Sequence, residues 1–136
     1  MPLKVKSGKI ALLVAILSFM ALTQNIASAR ISGVDLDIQR IEYDHSAGMN
    51  QTVHFTIFVK NKGTEATQSL SVGLDFGNGI GMGFMGPIVI ESGQTKTFTV
   101  GSTYTESGKF VVRAEVNTLG DVNLRNNFET GIINIK

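Results

Sequence analysis

Few residues in this chain have the types and spacing that chemistry requires. The one match to a phosphate-binding pattern, G-x-G-x-x-G, runs from Gly81 to Gly86. In a dinucleotide site such glycines follow a strand and open a helix, whose N-terminus receives the pyrophosphate. Here Pro87 to Ile90 follows, and these residues predict a short strand instead. The pattern therefore predicts no nucleotide site, and we expect no cofactor.

Two histidines, His45 and His54, are the next candidates, because imidazole is a common metal ligand. A metal site needs several such ligands together, and the chain has no Cys and no acids that we can place beside either histidine. We interpret His45 as a loop residue and His54 as an outward-facing strand residue. The prediction is that no metal is bound.

Nucleophilic catalysis also lacks its usual residues. The sequence has no G-x-S-x-G elbow, a Cys nucleophile is absent, and the acids show no pairing that predicts one cleft. We therefore predict that the protein is not an enzyme and has no catalytic residues.

A modification signal occurs once, at Asn50-Gln51-Thr52, within the polar loop of residues 44–51. In an exported protein of a host that glycosylates, Asn50 would be the acceptor; the alternative is an unmodified turn residue.

Apolar residues spaced by glycines form an unusual stretch at residues 77–86. Methionine and phenylalanine suit adaptable contact surfaces, so one interpretation is an apolar tip that contacts a protein partner. The other interpretation is that these side chains fold back over the end of the core. The candidate contact residues are Ile80, Met82, Phe84 and Met85.

The first 29 residues have the three parts of a secretory signal peptide. Lys4, Lys6 and Lys9 form a basic region, residues 10–22 are apolar, and Ala27-Ser28-Ala29 is a small-residue cleavage site. A helix of residues 10–22 would be roughly 20 Å long, shorter than the ~30 Å hydrocarbon core of a bilayer. We predict cleavage after residue 29 and a secreted or cell-surface location.

The alternative keeps this segment as a membrane anchor, which would be the protein's contact with the membrane. A basic segment that ends in Ser7-Gly8 before an apolar helix resembles the signals of type IV pilins. Those helices usually stay apolar for longer, whereas residues 23–25 are polar here. This interpretation predicts a membrane-anchored accessory or pilin-like subunit.

The charge and the cysteine content of the mature chain, residues 30–136, limit the partners it can bind and the ways it can be stabilised. The full chain has a net charge of +1, and removal of three Lys leaves a net charge of about −2. That balance does not suit a nucleic-acid binder, which needs a basic surface for phosphates. Without Cys, stability depends on the apolar core rather than on disulfides.

Alternating apolar residues predict the strands that form this core. Residues 52–61 and 109–117 each place apolar side chains at every second position, which gives one apolar face per strand. We predict these two as the central strands of an all-β, immunoglobulin-like antiparallel sandwich of about seven strands. In the turn after the first, Gly63 is expected to take a positive φ. The other predicted strands are residues 34–43, 69–76, 87–90, 95–100 and 128–135.

Several of these segments together resemble the CARDB family, adhesion-related immunoglobulin-like modules of bacterial and archaeal surface proteins. The resemblance covers most of residues 34–135 and implies a CARDB-like domain at 30–136. The family's loop before the last strand usually carries several acids, whereas residues 118–127 have only Asp121, so the resemblance implies no cation site here. We expect Asn126 and Asn127 to bond loop backbone and set the entry to the last strand. The resembling segments are residues 55–64 with Asn61-Lys62-Gly63-Thr64, residues 90–97 with Gly93, residues 109–116, and Asn126-Asn127.

These observations predict an exported, non-enzymatic module for adhesion or surface assembly, with a protein partner at the cell surface that could be a second copy. Contacts would use loops and the edges of the strands that begin at Val34 and at Phe128, since edge strands leave backbone groups unpaired. A third alternative is a soluble carbohydrate- or ion-binding domain. The chain has two tyrosines, Tyr43 and Tyr104, and no Trp for stacking on sugars.

Overall fold

The computed structural model describes residues 32–136, so the predicted signal peptide and its helix lie outside the described residues. Within the described range no helix is long and apolar enough to cross a membrane. The range contains a 3-10 helix at Leu124–Asn126 and eight strands. The strands are β1 (Leu36–Glu42), β2 (Ser46–Ala47), β3 (Thr52–Asn61), β4 (Leu70–Asp75), β5 (Gly81–Gly86), β6 (Thr95–Thr103), β7 (Gly108–Asn117) and β8 (Phe128–Ile135).

The strands form two sheets around one core. One sheet has three strands in the order β1-β3-β6, and the other has five in the order β2-β8-β7-β4-β5. Neighbours are antiparallel except β2 and β8, which are parallel over two residue pairs. The predicted all-β sandwich is confirmed, with eight strands rather than about seven.

The two predicted central strands hold the middle of each sheet. β3 lies between β1 and β6, and β7 lies between β8 and β4. The alternation works as expected, because every second residue of β3 from Val53 to Asn61 is buried while the residues between them are exposed or half-buried. On β7 the buried residues are Val112, Ala114 and Val116. Burial of these two rows joins the sheets.

The prediction of a strand at residues 87–90 is wrong. Gly81–Gly86, for which sequence analysis left open an apolar tip or a fold back over the core, is a strand paired with β4. Thr67 holds residues 87–90 instead, since its Oγ1 donates to the Ile88 carbonyl (2.9 Å) and accepts from the Ile90 amide (2.7 Å). Pro87 has no N–H to give to a ladder, and the glycines that alternate with Ile80, Met82 and Phe84 are more typical of turns than of strands, so residue type misled the prediction at both places.

The prediction for Gly63 is also wrong. A positive φ occurs at Gly33, φ +111°, and not at Gly63. A Cβ on Gly63 would lie 2.0 Å from the Gly33 carbonyl oxygen, so glycine is required there by the close approach of two backbone segments.

The sheet edges agree in part with prediction. β1 lies at an edge as predicted. β8 is covered by β2, but only at its C-terminal end, where Ser46 and Ala47 pair with Asn134 and Ile135. The edges that sequence analysis did not identify are β6 and β5.

Candidate protein-interaction surface

The outer edge of β5 is an open backbone edge. β5 pairs with β4 over six residue pairs, from Leu70 with Gly86 to Asp75 with Gly81. Among residues 32–136 no strand pairs with its other side. Alternate N–H and C=O groups of β5 are therefore directed away from β4, which is how an edge strand accepts another strand.

The candidate contact residues predicted from sequence lie on or beside this edge and are exposed. Their exposed fractions are 55% for Ile80, 54% for Met82, 41% for Phe84 and 86% for Met85. We call these four side chains the β5 patch. Met82, Phe84 and Met85 lie along β5, where pairing with β4 holds them in a fixed order, and Ile80 lies in the turn that precedes the strand.

The side chains of the β5 patch lie on two faces of the sheet. Directly paired residues share a face, so Met82 and Phe84 lie on the core side with their partners Leu74 and Val72. The Phe84 ring centroid is 5.5 Å from that of Phe98 on β6. Met82 and Phe84 therefore lie at the edge of the sandwich, between the two sheets.

The outer face beside β5 carries an open groove of about 920 Å³. Gly73, Gly81 and Gly83 lie on this face by alternation, so backbone forms the floor. Met85 lies on one side of the groove, and a polar row of β7 lies on the other. That row is Arg113, Glu115 and Asn117.

The glycines of the groove floor differ in whether the surrounding backbone leaves room for a side chain. A Cβ on Gly83 would lie 2.4 Å from the Val72 carbonyl oxygen, so backbone packing requires glycine there. A Cβ on Gly73 would meet only the Met82 carbonyl oxygen, at 3.8 Å, and Gly73 has no positive φ. A glycine inside a strand costs roughly 0.5–1 kcal/mol relative to alanine. Nothing in the local backbone requires glycine at position 73, and its effect is to keep the groove open.

Charge also distinguishes the β5 edge from the other edges. Residues 76–90 contain no charged residue. In contrast, β1 carries Asp37, Arg40 and Glu42, and β6 carries Lys96. Charged side chains on an edge strand oppose pairing with another chain. The β1 edge has this protection, and the β5 edge does not.

A second polar cluster closes the end of the sandwich where β1 begins. Asp121 Oδ2 accepts from the Leu36 amide (3.1 Å) and from Asn127 Nδ2 (2.9 Å), and Asp121 Oδ1 accepts from the Asn123 amide (2.9 Å). Asn126 Nδ2 donates to Asp35 Oδ1 at 2.8 Å. The side chains of both asparagines thus donate to carboxylates, so the expectation that they bond loop backbone is wrong. Their position at the entry to the last strand agrees with prediction.

The remaining predicted positions lie apart from the β5 patch along the chain. His45 and His54 are exposed, and His45 packs edge-on against Tyr43, with ring centroids 4.5 Å apart. Asn50 is an exposed turn residue with φ +61°, and its amide donates to the Tyr104 carbonyl at 2.8 Å. Its exposure is compatible with the predicted glycan.

Two tyrosines and one lysine have shifted pKa values. Burial raises the pKa of the Tyr104 hydroxyl to about 12, and that hydroxyl donates to the Phe76 carbonyl at 2.9 Å. Burial also raises the pKa of Tyr43, which donates to the Ile132 carbonyl. The hydrogen bond with Asp37 raises the pKa of Lys62. None of these groups lines the groove beside β5.

The architecture and the exposed edge define an immunoglobulin-like β-sandwich module. No protein-family model matches the sequence, and the search of curated proteins gave no match. Solved structures, however, match over most of the described residues. The fold is that of the CARDB domain, which confirms the predicted resemblance.

Three solved structures show this likeness. The crystal structure of a CARDB domain from Pyrococcus furiosus, in complex with di-metal ions, has a TM-score of 0.70 and 23% identity, covering 80% of this chain and 94% of that domain. The solution structure of the P. furiosus domain has a TM-score of 0.66 and 24% identity, covering 77% of this chain and 97% of that domain. A PKD domain of an M14-like peptidase from a Thermoplasmatales archaeon has a TM-score of 0.53 and 17% identity, covering 79% and 98%.

The metal ions of the P. furiosus domain raise the question of whether this chain has matching ligands. Among residues 32–136, no group of three His, Cys, Asp or Glu side chains could hold a metal ion. Asp35 and Asp121, at the end of the sandwich where β1 begins, accept hydrogen bonds from N–H groups. The residues present therefore do not fit a metal centre, although Asn126 Oδ1 and Asn127 Oδ1 are buried without a partner.

Proposed function

We propose that this protein is an exported, non-enzymatic module that serves adhesion or surface assembly at the cell surface. Its contact with a protein partner is made by the open edge of β5 and by the β5 patch. The observation that carries the proposal is a six-residue edge strand with four exposed apolar side chains on or beside it and no charge.

Physical chemistry supports binding at this edge. An extended segment of a partner can add to an exposed sheet edge, where main-chain hydrogen bonds supply affinity and alternate side chains supply specificity. Burial of the β5 patch would add to this, at about 25 cal/mol for each Å² of apolar surface removed from water. Soluble proteins rarely leave such surfaces open unless they meet a partner.

The glycine pattern of Gly81 to Gly86 supports a binding role rather than a catalytic one. It forms a strand in a ladder with β4, so its N–H groups alternate between two sides and do not converge on an anion. A phosphate-binding turn needs the opposite arrangement, with N–H groups at the start of a helix. Of the two tyrosines, Tyr104 is fully buried and offers no face to a sugar, which leaves the partly buried Tyr43 as a single aromatic side chain.

Export rests on residues 1–29 and is tested by the N-terminus of the protein recovered from its host. A mature chain that begins at Arg30 supports the proposed secreted module. An uncleaved chain, found only with membranes, favours the membrane-anchored accessory subunit. Intact mass spectrometry of envelope and medium fractions distinguishes the two.

The surface role is tested by placing charge on the β5 edge in the native host. We expect Met82→Lys and Met85→Lys each to reduce retention of the protein at the cell surface, measured as its ratio between envelope and medium. Ile132→Lys is the matched control, because Ile132 is similarly exposed, at 57%, on β8. Equal retention of native protein and all three variants would refute the proposed use of this edge.

A further inference from the structure

We propose that the partner of the β5 edge is β5 of a second copy of this chain. The two strands would pair antiparallel about a two-fold axis at Gly83, so that two five-stranded sheets join into one sheet of ten strands. This inference rests on the proposed function, because it assumes that the β5 edge binds protein.

The faces of β5 restrict the registers in which it can pair with itself. Directly opposite residues share a face of an antiparallel sheet. Met82 and Phe84 lie on the core side, whereas Gly81, Gly83 and Met85 lie on the outer side. A register centred between two residues would set core-side residues against outer-side ones. The axis must therefore pass through a residue.

An axis at Gly83 pairs complementary side chains on both faces. On the core side, Met82 of each copy lies opposite Phe84 of the other. A methionine sulfur against an aromatic ring is a favourable contact. On the outer side, Met85 of each copy lies opposite Gly81 of the other, where no side chain obstructs it.

The groove beside β5 accounts for the outer half of this contact. Its floor is Gly73, Gly81 and Gly83. In the Gly83-centred register, Met85 of the second copy enters this groove from the edge. The most exposed member of the β5 patch then lies in the row of Gly81, which continues to Asp75 on β4 and Arg113 on β7, so it contacts the end of the groove rather than the floor at Gly73.

Charge allows this pairing at β5 and opposes it elsewhere. Because residues 76–90 carry no charge, two copies bring no like charges together. Self-pairing of β1 would bring Asp37, Arg40 and Glu42 of both copies to one seam. Stable interfaces bury more than about 1,000 Å², and a contact made by one six-residue strand edge is small for that class. We therefore expect a reversible dimer whose population rises with concentration.

Cross-linking tests the partner and the register together. The chain has no Cys, so any disulfide in a cysteine variant reports an introduced pair. Full-length Met82→Cys and Phe84→Cys proteins, recovered from the exporting host, are oxidised separately and as a mixture. We expect several-fold more disulfide-linked dimer in the mixture, because positions 82 and 84 lie directly opposite only across copies. Ile132→Cys, mixed with Met82→Cys, is the control and should give no excess.

Charge exchange gives an independent test of the same register. We expect Met82→Lys and Phe84→Glu each to shift the protein toward monomer, measured by light scattering over a concentration series. The double variant M82K/F84E should recover the dimer, because each introduced ammonium group lies opposite an introduced carboxylate of the other copy. Thermal unfolding of each variant shows whether the fold is retained.

The outcomes separate this inference from the proposed function. Native protein that stays monomeric at all concentrations, with no excess dimer in the mixture, overturns self-pairing. If Met82→Lys still lowers surface retention in that case, the β5 edge binds a different protein and the proposed function stands. If surface retention of the Met82→Lys variant is also unchanged, self-pairing and the proposed function of the β5 edge are both refuted. Stronger cross-linking of Met82→Cys with itself than with Phe84→Cys would overturn the Gly83-centred register.

Discussion

The carbonyl oxygen of Gly33 occupies the place where a side chain on Gly63 would begin. The ideal Cβ of residue 63 would lie 2.0 Å from this oxygen and 2.7 Å from the amide nitrogen of Asp35. The same Gly33 oxygen accepts a hydrogen bond from the Thr64 amide at 2.8 Å. The turn after β3 is thereby closed against the segment that leads into β1, with no space for a carbon atom between them.

This contact predicts a large loss of stability for Gly63→Ala. The added methyl group cannot be accommodated without moving one backbone segment, and overpacking of this kind typically costs about 1–3 kcal/mol or more. Gly73→Ala is the matched control, because its methyl group meets no atom closer than 3.8 Å. We expect that variant to gain about 0.5–1 kcal/mol. Urea unfolding of both variants measures the difference, and equal midpoints would contradict the assigned contact.

The Asp121 carboxylate is predicted to hold the start of β1 in place. Asp121→Ala leaves the Leu36 amide and Asn127 Nδ2 without their acceptor. An unsatisfied buried donor costs about 1–3 kcal/mol, so we expect a loss of at least that size in the free energy of unfolding. Asp44→Ala, at an exposed loop position, should change stability by less than about 0.5 kcal/mol. Similar stabilities of the two variants would refute the role of Asp121.

The raised pKa of Tyr104 predicts how the free energy of unfolding depends on pH above neutrality. Burial raises its pKa to about 12, above the ordinary value of 10, so the folded protein retains the phenolic proton that the unfolded chain releases. This contribution is complete below pH 10 and is lost as the pH rises toward 12, by about 1.4 kcal/mol for each pH unit.

Chemical unfolding of native protein and Tyr104→Phe between pH 9 and pH 12 tests this prediction. We expect the decrease to be smaller in Tyr104→Phe, which is also less stable at neutral pH because the Phe76 carbonyl loses its donor. Tyr43→Phe is the control and should keep most of the decrease, since Tyr43 is only partly buried. If the free energy of unfolding falls equally with pH in native protein and in Tyr104→Phe, Tyr104 is excluded as the cause.

Phe55 is predicted to be a major contributor to the core. It is fully buried, and its ring centroid lies 5.4 Å from that of Phe76 and 5.1 Å from that of Tyr43. Phe55→Ala should reduce the free energy of unfolding by about 3–5 kcal/mol. Val111→Ala, on the outer face of β7 with 59% of its side chain exposed, should reduce it by less than about 0.5 kcal/mol.

β3 and β7 could be predicted from sequence because a strand buried on one face has a period of two that neighbouring residues display by themselves. The same local signal identified residues 80–85 as unusual, since apolar side chains between glycines suit no common loop. It could not show that they belong to a strand. Ile80, Met82 and Phe84 do alternate with glycines, but glycine is typical of turns and weakens strands, so residue type concealed the period of two.

By itself, the sequence predicted a β-sandwich core and showed an uncharged stretch from residue 76 to residue 90, and it predicts an export signal in residues 1–29. These properties follow from residue type and short-range spacing. Only the tertiary structure decided that the uncharged stretch forms an open edge, that Gly63 faces Gly33, and that Asn126 bonds Asp35. Asn126 and Asp35 are 91 positions apart, and contacts at such separations depend on how strands are ordered in the sheets, which no local pattern encodes.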